Sequence, residues 1–284
     1  MFSFRKIFHK RVQSEKGEQK KIKKTSRFTI SKRQKFLISV VVLSLSLFFS
    51  EYVFNSSVLF LSLALGIATD IFLFAALFKD LRESFAPQAF FLPFLCSLAF
   101  SLFFFLTPTR LISRVVITSL YAVALYALFL SENIFLVAST RTIALTNSAK
   151  IVTFVISLLS YFFLINTIFS FRLPFFATTL LIALFSFFFI MHGLWTYTLA
   201  KSLKADLLWS LILTICLFEL SCVLWFWPTS STLIALFLTA AFYTLVGISH
   251  MWFDKRLFQS VFWEYAWVVG IACLLLVWFT SWQG

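Results

Sequence analysis

Two carboxylates, Asp70 in Gly66-Ile67-Ala68-Thr69-Asp70 and Glu219 in Cys216-Leu217-Phe218-Glu219-Leu220-Ser221-Cys222, stand inside long apolar runs rather than between them. If those runs are helices rising about 1.5 Å per residue, Asp70 lies about 12 Å and Glu219 about 18 Å from the basic end of its run. Neither is close enough to an end to reach water with its side chain. An acid at such depth in hydrocarbon is costly, so both are expected to face the interior of a helix bundle and to be protonated, paired, or in touch with water or a cation. The chemistry they could do is proton or cation binding in coupled transport. The competing role is structural, a protonated carboxyl bonded to a Ser, a Thr or a backbone carbonyl of the next helix. The small residues Ser62, Gly66, Ala64 and Ala68 beside Asp70 suit close helix packing equally well.

His192 and His250 are expected at the ends of apolar runs, where they could relay protons or simply be wetted. Arg141 could pair with a deep acid if its segment dips into the membrane. Glu51, Asp80, Glu83, Glu132, Asp206, Asp254 and Glu264 are expected near run ends or in loops, satisfied by water or neighbouring bases. No G-x-x-x-x-G-K, G-x-G-x-x-G, H-E-x-x-H or G-x-S-x-G occurs, so no catalytic residue, metal ligand or cofactor site is picked out. Cys96, Cys216, Cys222 and Cys273 all fall in apolar runs without Cys-x-x-Cys or His spacing and are read as small packing residues.

The elements that must position these side chains follow from composition. The 284 residues are 61% apolar and 12% charged, with a mean hydropathy of +0.96. An ordinary soluble domain carries about 25% charged residues, so a water-soluble fold is excluded. A hydrocarbon core about 30 Å thick needs about 20 helical residues, and apolar runs of that length predict nine spans, at 36–54, 57–78, 89–106, 111–130, 151–169, 174–194, 207–227, 231–250 and 261–282. The runs are continuous rather than alternating, which excludes membrane strands. The expected fold is all-α, a polytopic transmembrane helix bundle. The half-apolar stretch 131–150 is expected to be an interfacial helix or an extension of span 4 or 5, because a tenth crossing would put Arg141 in lipid and move four basic residues outside.

Of the 24 basic residues, 13 lie in residues 1–35, against the two acids Glu15 and Glu18. This basic tail, including Arg5, Lys6, Lys10, Arg11, Lys20, Lys21, Lys23 and Lys24, precedes the first span, which is expected to stay attached as a signal anchor. With the N-terminus cytoplasmic, 21 basic residues fall inside and three, Arg110, Arg114 and Arg172, outside. The tail is expected to be disordered or to lie on the membrane surface and to attract anionic lipids at about 1 kcal/mol per basic side chain. The placement of charge argues for lipid over nucleic acid as its partner. The domains are thus the tail, 1–35, and a helical membrane domain, 36–284. Pro108 and Pro228 stand at matching turns, which would make spans 1–4 and 5–8 parallel repeats, although the helix sequences themselves do not align.

The run Ser131-Glu132-Asn133-Ile134-Phe135-Leu136-Val137-Ala138 and its continuation resemble uncharacterised polytopic membrane proteins of small-genome, candidate-phyla bacteria. Asn133, Ile134, Phe135, Val137, Ala138, Arg141, Thr142 and Ile143 carry the resemblance. It covers about twenty residues, implies a bacterial cytoplasmic membrane and directs attention to Arg141, but brings no activity with it. Two function classes remain. One is a transporter-like bundle for a small solute or lipid intermediate, with water-reachable acids. The other is a non-catalytic scaffold or envelope-assembly subunit, with dry acids and a lateral face for a membrane partner or a second copy.

Overall fold

The computed structural model describes residues 31–53, 58–81, 87–108, 110–139, 145–198, 203–255 and 258–280, without the side chains of 51–53, 79–81 and 203–205. Among the described residues every regular element is helical. The helices are α1 (Lys32–Val53), α2 (Val58–Leu81), α3 (Phe91–Leu106) behind the 3-10 turn Pro87–Phe90, α4 (Leu111–Ala138), α5 (Thr146–Ser170), α6 (Phe175–Thr198), α7 (Leu203–Trp225), α8 (Ser231–Phe253) and α9 (Gln259–Trp278). All nine are long and apolar enough to cross a membrane. The nine expected spans and the all-α bundle are therefore found. Residues 131–138 and 146–150 extend α4 and α5, as one of the two expectations for that stretch had it. Arg141 and residues 1–30, which include Arg5, Lys6, Lys10, Arg11, Lys20, Lys21, Lys23 and Lys24, lie outside the described residues, while Lys32, Arg33 and Lys35 of the tail form the start of α1.

Helix ends follow local chemistry. Ser31 and Gln34 form a reciprocal cap, the Ser31 N–H donating to Gln34 Oε1 at 2.9 Å and the Gln34 N–H to Ser31 Oγ at 3.4 Å. Pro108, Pro174 and Pro228 stand in the breaks before α4, α6 and α8, where their missing N–H costs nothing. The chain has only six glycines, and α5 and α8 end through left-handed residues that are not glycine, Arg172 (φ 48°) and Lys255 (φ 54°).

Within the compact unit Phe36–Gly284, α3 and α5 are the most enclosed helices. α3 packs on α2, α4, α5 and α6; α5 packs on α3, α4, α6 and α8. Phe103 stacks on Phe163 (centroids 4.1 Å apart, planes 11°) and Tyr161 on Phe242 (4.5 Å, 17°). Aromatic contacts of this kind supply packing where lipid removes the ordinary hydrophobic drive between helices. Hydroxyls tie the same layers together. Thr69 Oγ1, Ser97 Oγ and Tyr121 OH make a chain of 2.7 and 2.9 Å hydrogen bonds through α2, α3 and α4, and Tyr161 OH meets Ser186 Oγ at 2.9 Å between α5 and α6. By contrast α7 and α9 lie at the perimeter, showing Leu208, Val223, Trp267 and Trp278 at their surfaces.

A candidate buried acid–histidine site

α4 and α6 both pack against α3 and α5, and the turn Pro87–Phe90 touches both as well. Near the C-terminal ends of α4 and α6 this arrangement brings Glu132 and His192 together. His192 Nε2 and Glu132 Oε1 are 2.8 Å apart, with the two side chains 1% and 0% exposed. Each residue is six positions from the end of its helix, a depth of about 9 Å. The pair is walled by Trp195, whose ring centroid is 5.9 Å from that of His192 and which meets Phe135 edge-on at 6.2 Å. Gln88 is buried in the adjoining turn. Glu132 Oε2 and Asn133 Oδ1 are buried and make no hydrogen bond to the protein among the described residues.

An acid and an imidazole joined by one hydrogen bond can hold one proton between them. In a low-dielectric interior the states of zero net charge, carboxylate with imidazolium or carboxyl with imidazole, are far cheaper than those of net charge −1 or +1. Moving the proton along the 2.8 Å hydrogen bond exchanges the two neutral states without moving a net charge into the protein. Oε2 remains able to accept a further donor.

A second cluster adjoins it, sharing the C-terminal end of α6 and adding the N-terminal end of α5 and the C-terminal end of α8. His250 Nε2 lies 3.2 Å from the carbonyl oxygen of Gly193, the residue after His192. A carbonyl can only accept, so this nitrogen carries the hydrogen. The His250 ring stacks on Tyr197 at 3.6 Å and 15°, and Lys150 Nζ sits over the Tyr197 ring at 4.2 Å from its centroid. Across the next helix pair, Thr198 Oγ1 donates to Asp206 Oδ2 at 3.0 Å.

The structure redistributes the residues picked out from the sequence. Glu132, expected to be satisfied by solvent near a span end, is fully enclosed, because α4 continues to Ala138 and the neighbouring helices cover it. His192 and His250 are not wetted at an interface but buried, at 1% and 2% exposure. Asp70 is half-buried on α2, its Oδ1 enclosed and without a protein partner among the described residues. Glu219, expected to face the interior, is exposed on α7, because the stripe of α7 that carries it turns away from the core. It opens into a groove of about 510 Å³ between α7, α8 and α9. α2 packs mainly on α3 and α4, and α7 on α6 and α8, so Asp70 and Glu219 share no packing neighbour and do not form one site. Sequence reading missed Glu132 as a partner for His192. The available signal was the uninterrupted apolar and helix-favouring run through Ile134-Phe135-Leu136-Val137-Ala138, which carries α4 past the length a membrane requires.

No curated protein and no solved structure matches the chain. Residues 39–279, from within α1 through the end of α9, match the family described as "Protein of unknown function (DUF5656)", and the chain belongs to that family.

Proposed function

We propose that this multi-pass membrane protein is a proton-responsive, transporter-like bundle of a bacterial cytoplasmic membrane, with its N-terminus on the cytoplasmic side. Glu132 and His192 hold one proton between them, and His250, Tyr197 and Lys150 lie between that pair and the cytoplasmic surface. The observation that carries this reading is the 2.8 Å Glu132–His192 contact between two enclosed side chains on different helices. Burying such a pair contributes little to stability compared with an apolar replacement, so its presence favours a working role. Ionisable groups inside a membrane bundle mark proton and solute paths far more often than fold-holding contacts. The orientation rests on the 21 to 3 division of basic residues. Asp70 is a second candidate proton or cation site, on the evidence of its enclosed Oδ1. The basic tail adds attraction to anionic lipid.

The test is a pH jump on the purified protein in proteoliposomes adsorbed to a solid-supported membrane. A jump large enough to drive the pair into a state of net charge +1 or −1 is expected to give a transient charge displacement in wild type as the pair gains or loses a proton, and Glu132→Gln is expected to remove most of it. A displacement in Glu132→Gln equal to that of wild type would end the proton-site reading and leave the scaffold.

A further inference from the structure

Glu219 poses a problem that the buried pair does not. Its side chain is exposed on the outside of the bundle, six residues from the C-terminal end of a helix that crosses the membrane. A carboxylate turned toward hydrocarbon within a membrane span is costly to keep charged. The surroundings of this acid are those of a binding groove rather than a smooth helix surface. Cys216, Glu219, Leu220 and Val223 line one wall along α7, Ala241, Thr244 and Leu245 form a floor on α8, and Val269 closes the far wall on α9.

Three properties of the groove select its occupant. The first is size. At about 510 Å³ it lies in the range of small-molecule sites, about 300–1,000 Å³. From Cys216 to Val223 it runs only about 10 Å along α7, two helical turns, whereas a transmembrane helix would need a seam of about 30 Å. The second is chemistry: one acid and one hydroxyl, Thr244, in a lining otherwise made of aliphatic side chains and a thiol. The third is access, since the groove opens sideways toward lipid. An apolar wall with one negative charge, entered from the membrane, complements a molecule that is itself apolar and carries one positive charge.

The geometry points to the α7–α8–α9 groove as a binding site for a lipophilic organic cation, with Glu219 as its counter-ion. Charge neutralisation in a poorly solvated groove is worth more than the same pairing in water, which gives the acid a reason to stand where it does. The proposal is independent of the Glu132–His192 reading, since the two acids lie on helices that do not pack together.

Tetraphenylphosphonium, a delocalised apolar monocation, is the probe, and triphenylphosphine oxide its uncharged counterpart. Wild-type protein in nanodiscs is expected to bind the cation saturably and to discriminate against the neutral compound. Glu219→Gln, which keeps the shape of the side chain, should weaken binding by about tenfold or more. Val223→Trp, which fills the groove and leaves the acid in place, should do the same, while Glu132→Gln should bind as wild type does. The native thiols supply a second readout: Cys216 lies in the groove and Cys273 is exposed outside it. Tetraphenylphosphonium should slow maleimide labelling of Cys216 and leave Cys273 unchanged. Equal binding by Glu219→Gln, equal binding of the neutral compound, or unprotected Cys216 would each overturn the proposal. So would oxidative cross-linking of Cys216 between two copies in the membrane, which would make a second chain the cover of this groove.

Discussion

Glu132 and Glu219 are the same residue type on helices of similar length, and the fold treats them in opposite ways. Glu132 is 0% exposed, hydrogen-bonded at 2.8 Å to a histidine from another helix, and enclosed by aromatic rings. Glu219 is exposed at the perimeter, in a groove of about 510 Å³. The difference arises from the face of the helix. α4 and α7 are buried to the same extent, but Glu132 stands on the stripe of α4 that its neighbours cover, whereas Glu219 stands on a stripe of α7 that turns away from the core. Depth along a helix fixes what an acid costs; its angle around the helix fixes what it can meet.

The largest effect that would break this comparison is the loss of one partner of the buried pair. Glu132→Ala leaves the His192 imidazole without its partner, and removal of one member of a buried pair costs about 3–5 kcal/mol. Denaturation in mixed micelles should show this as a much earlier unfolding midpoint. The double variant Glu132→Ala/His192→Ala should be less destabilised than the sum of the two single changes, with a coupling of about 1–3 kcal/mol. Strict additivity would mean that the two side chains do not act as a unit.

An intermediate effect concerns the wall of the Glu219 groove. A methyl group added at Gly247 on α8 would overlap the ring of Tyr265 on α9, one helical turn from Val269. Gly247→Ala should therefore push α9 from α8 and destabilise by about 1–3 kcal/mol, as overpacking does. It should also weaken tetraphenylphosphonium binding without changing the pH-jump signal. Loss of both signals together would mean that the two sites are coupled through the bundle.

The smallest effect is expected at Glu219 itself. Glu219→Leu removes no hydrogen bond to the described residues, and the side chain faces detergent in both the folded and the unfolded micelle-bound chain, so its unfolding midpoint in detergent should differ from wild type by about 0.5 kcal/mol or less. Destabilisation as large as that of Glu132→Ala would contradict the exposed position. The pair of results, Glu132→Ala against Glu219→Leu, is the sharpest measure of how differently the two acids are held.

Much of this architecture is legible in the amino-acid order. Nine apolar runs became nine helices with ends within a few residues of the expected bounds, except where α4 continues to Ala138 and α5 begins at Thr146. The candidate sites were less legible. His192 was recognised as a residue able to carry protons, but its partner was not, because 60 residues and the whole of α5 separate Glu132 from it. Glu219 was recognised as anomalous, but its direction was assigned inward. Trp195, close to the end of α6, is 2% exposed and packs against Phe135.

The sequence by itself determined that the chain crosses a membrane as helices and, α4 and α5 apart, where those helices start and stop to within a few residues. In hydrocarbon every backbone N–H and C=O must be paired within its own segment, and that requirement is met locally, residue by residue. Only the tertiary structure decided which face of each helix looks inward. In a soluble helix a polar stripe would announce the outside, but helices such as α7 and α9 show no one-sided polar stripe, since lipid and protein interior ask for the same side chains. The pairing of Glu132 with His192 and the opening of Glu219 to the perimeter are consequences of helix rotation, set by shape complementarity among Phe, Tyr and small residues that no single run contains.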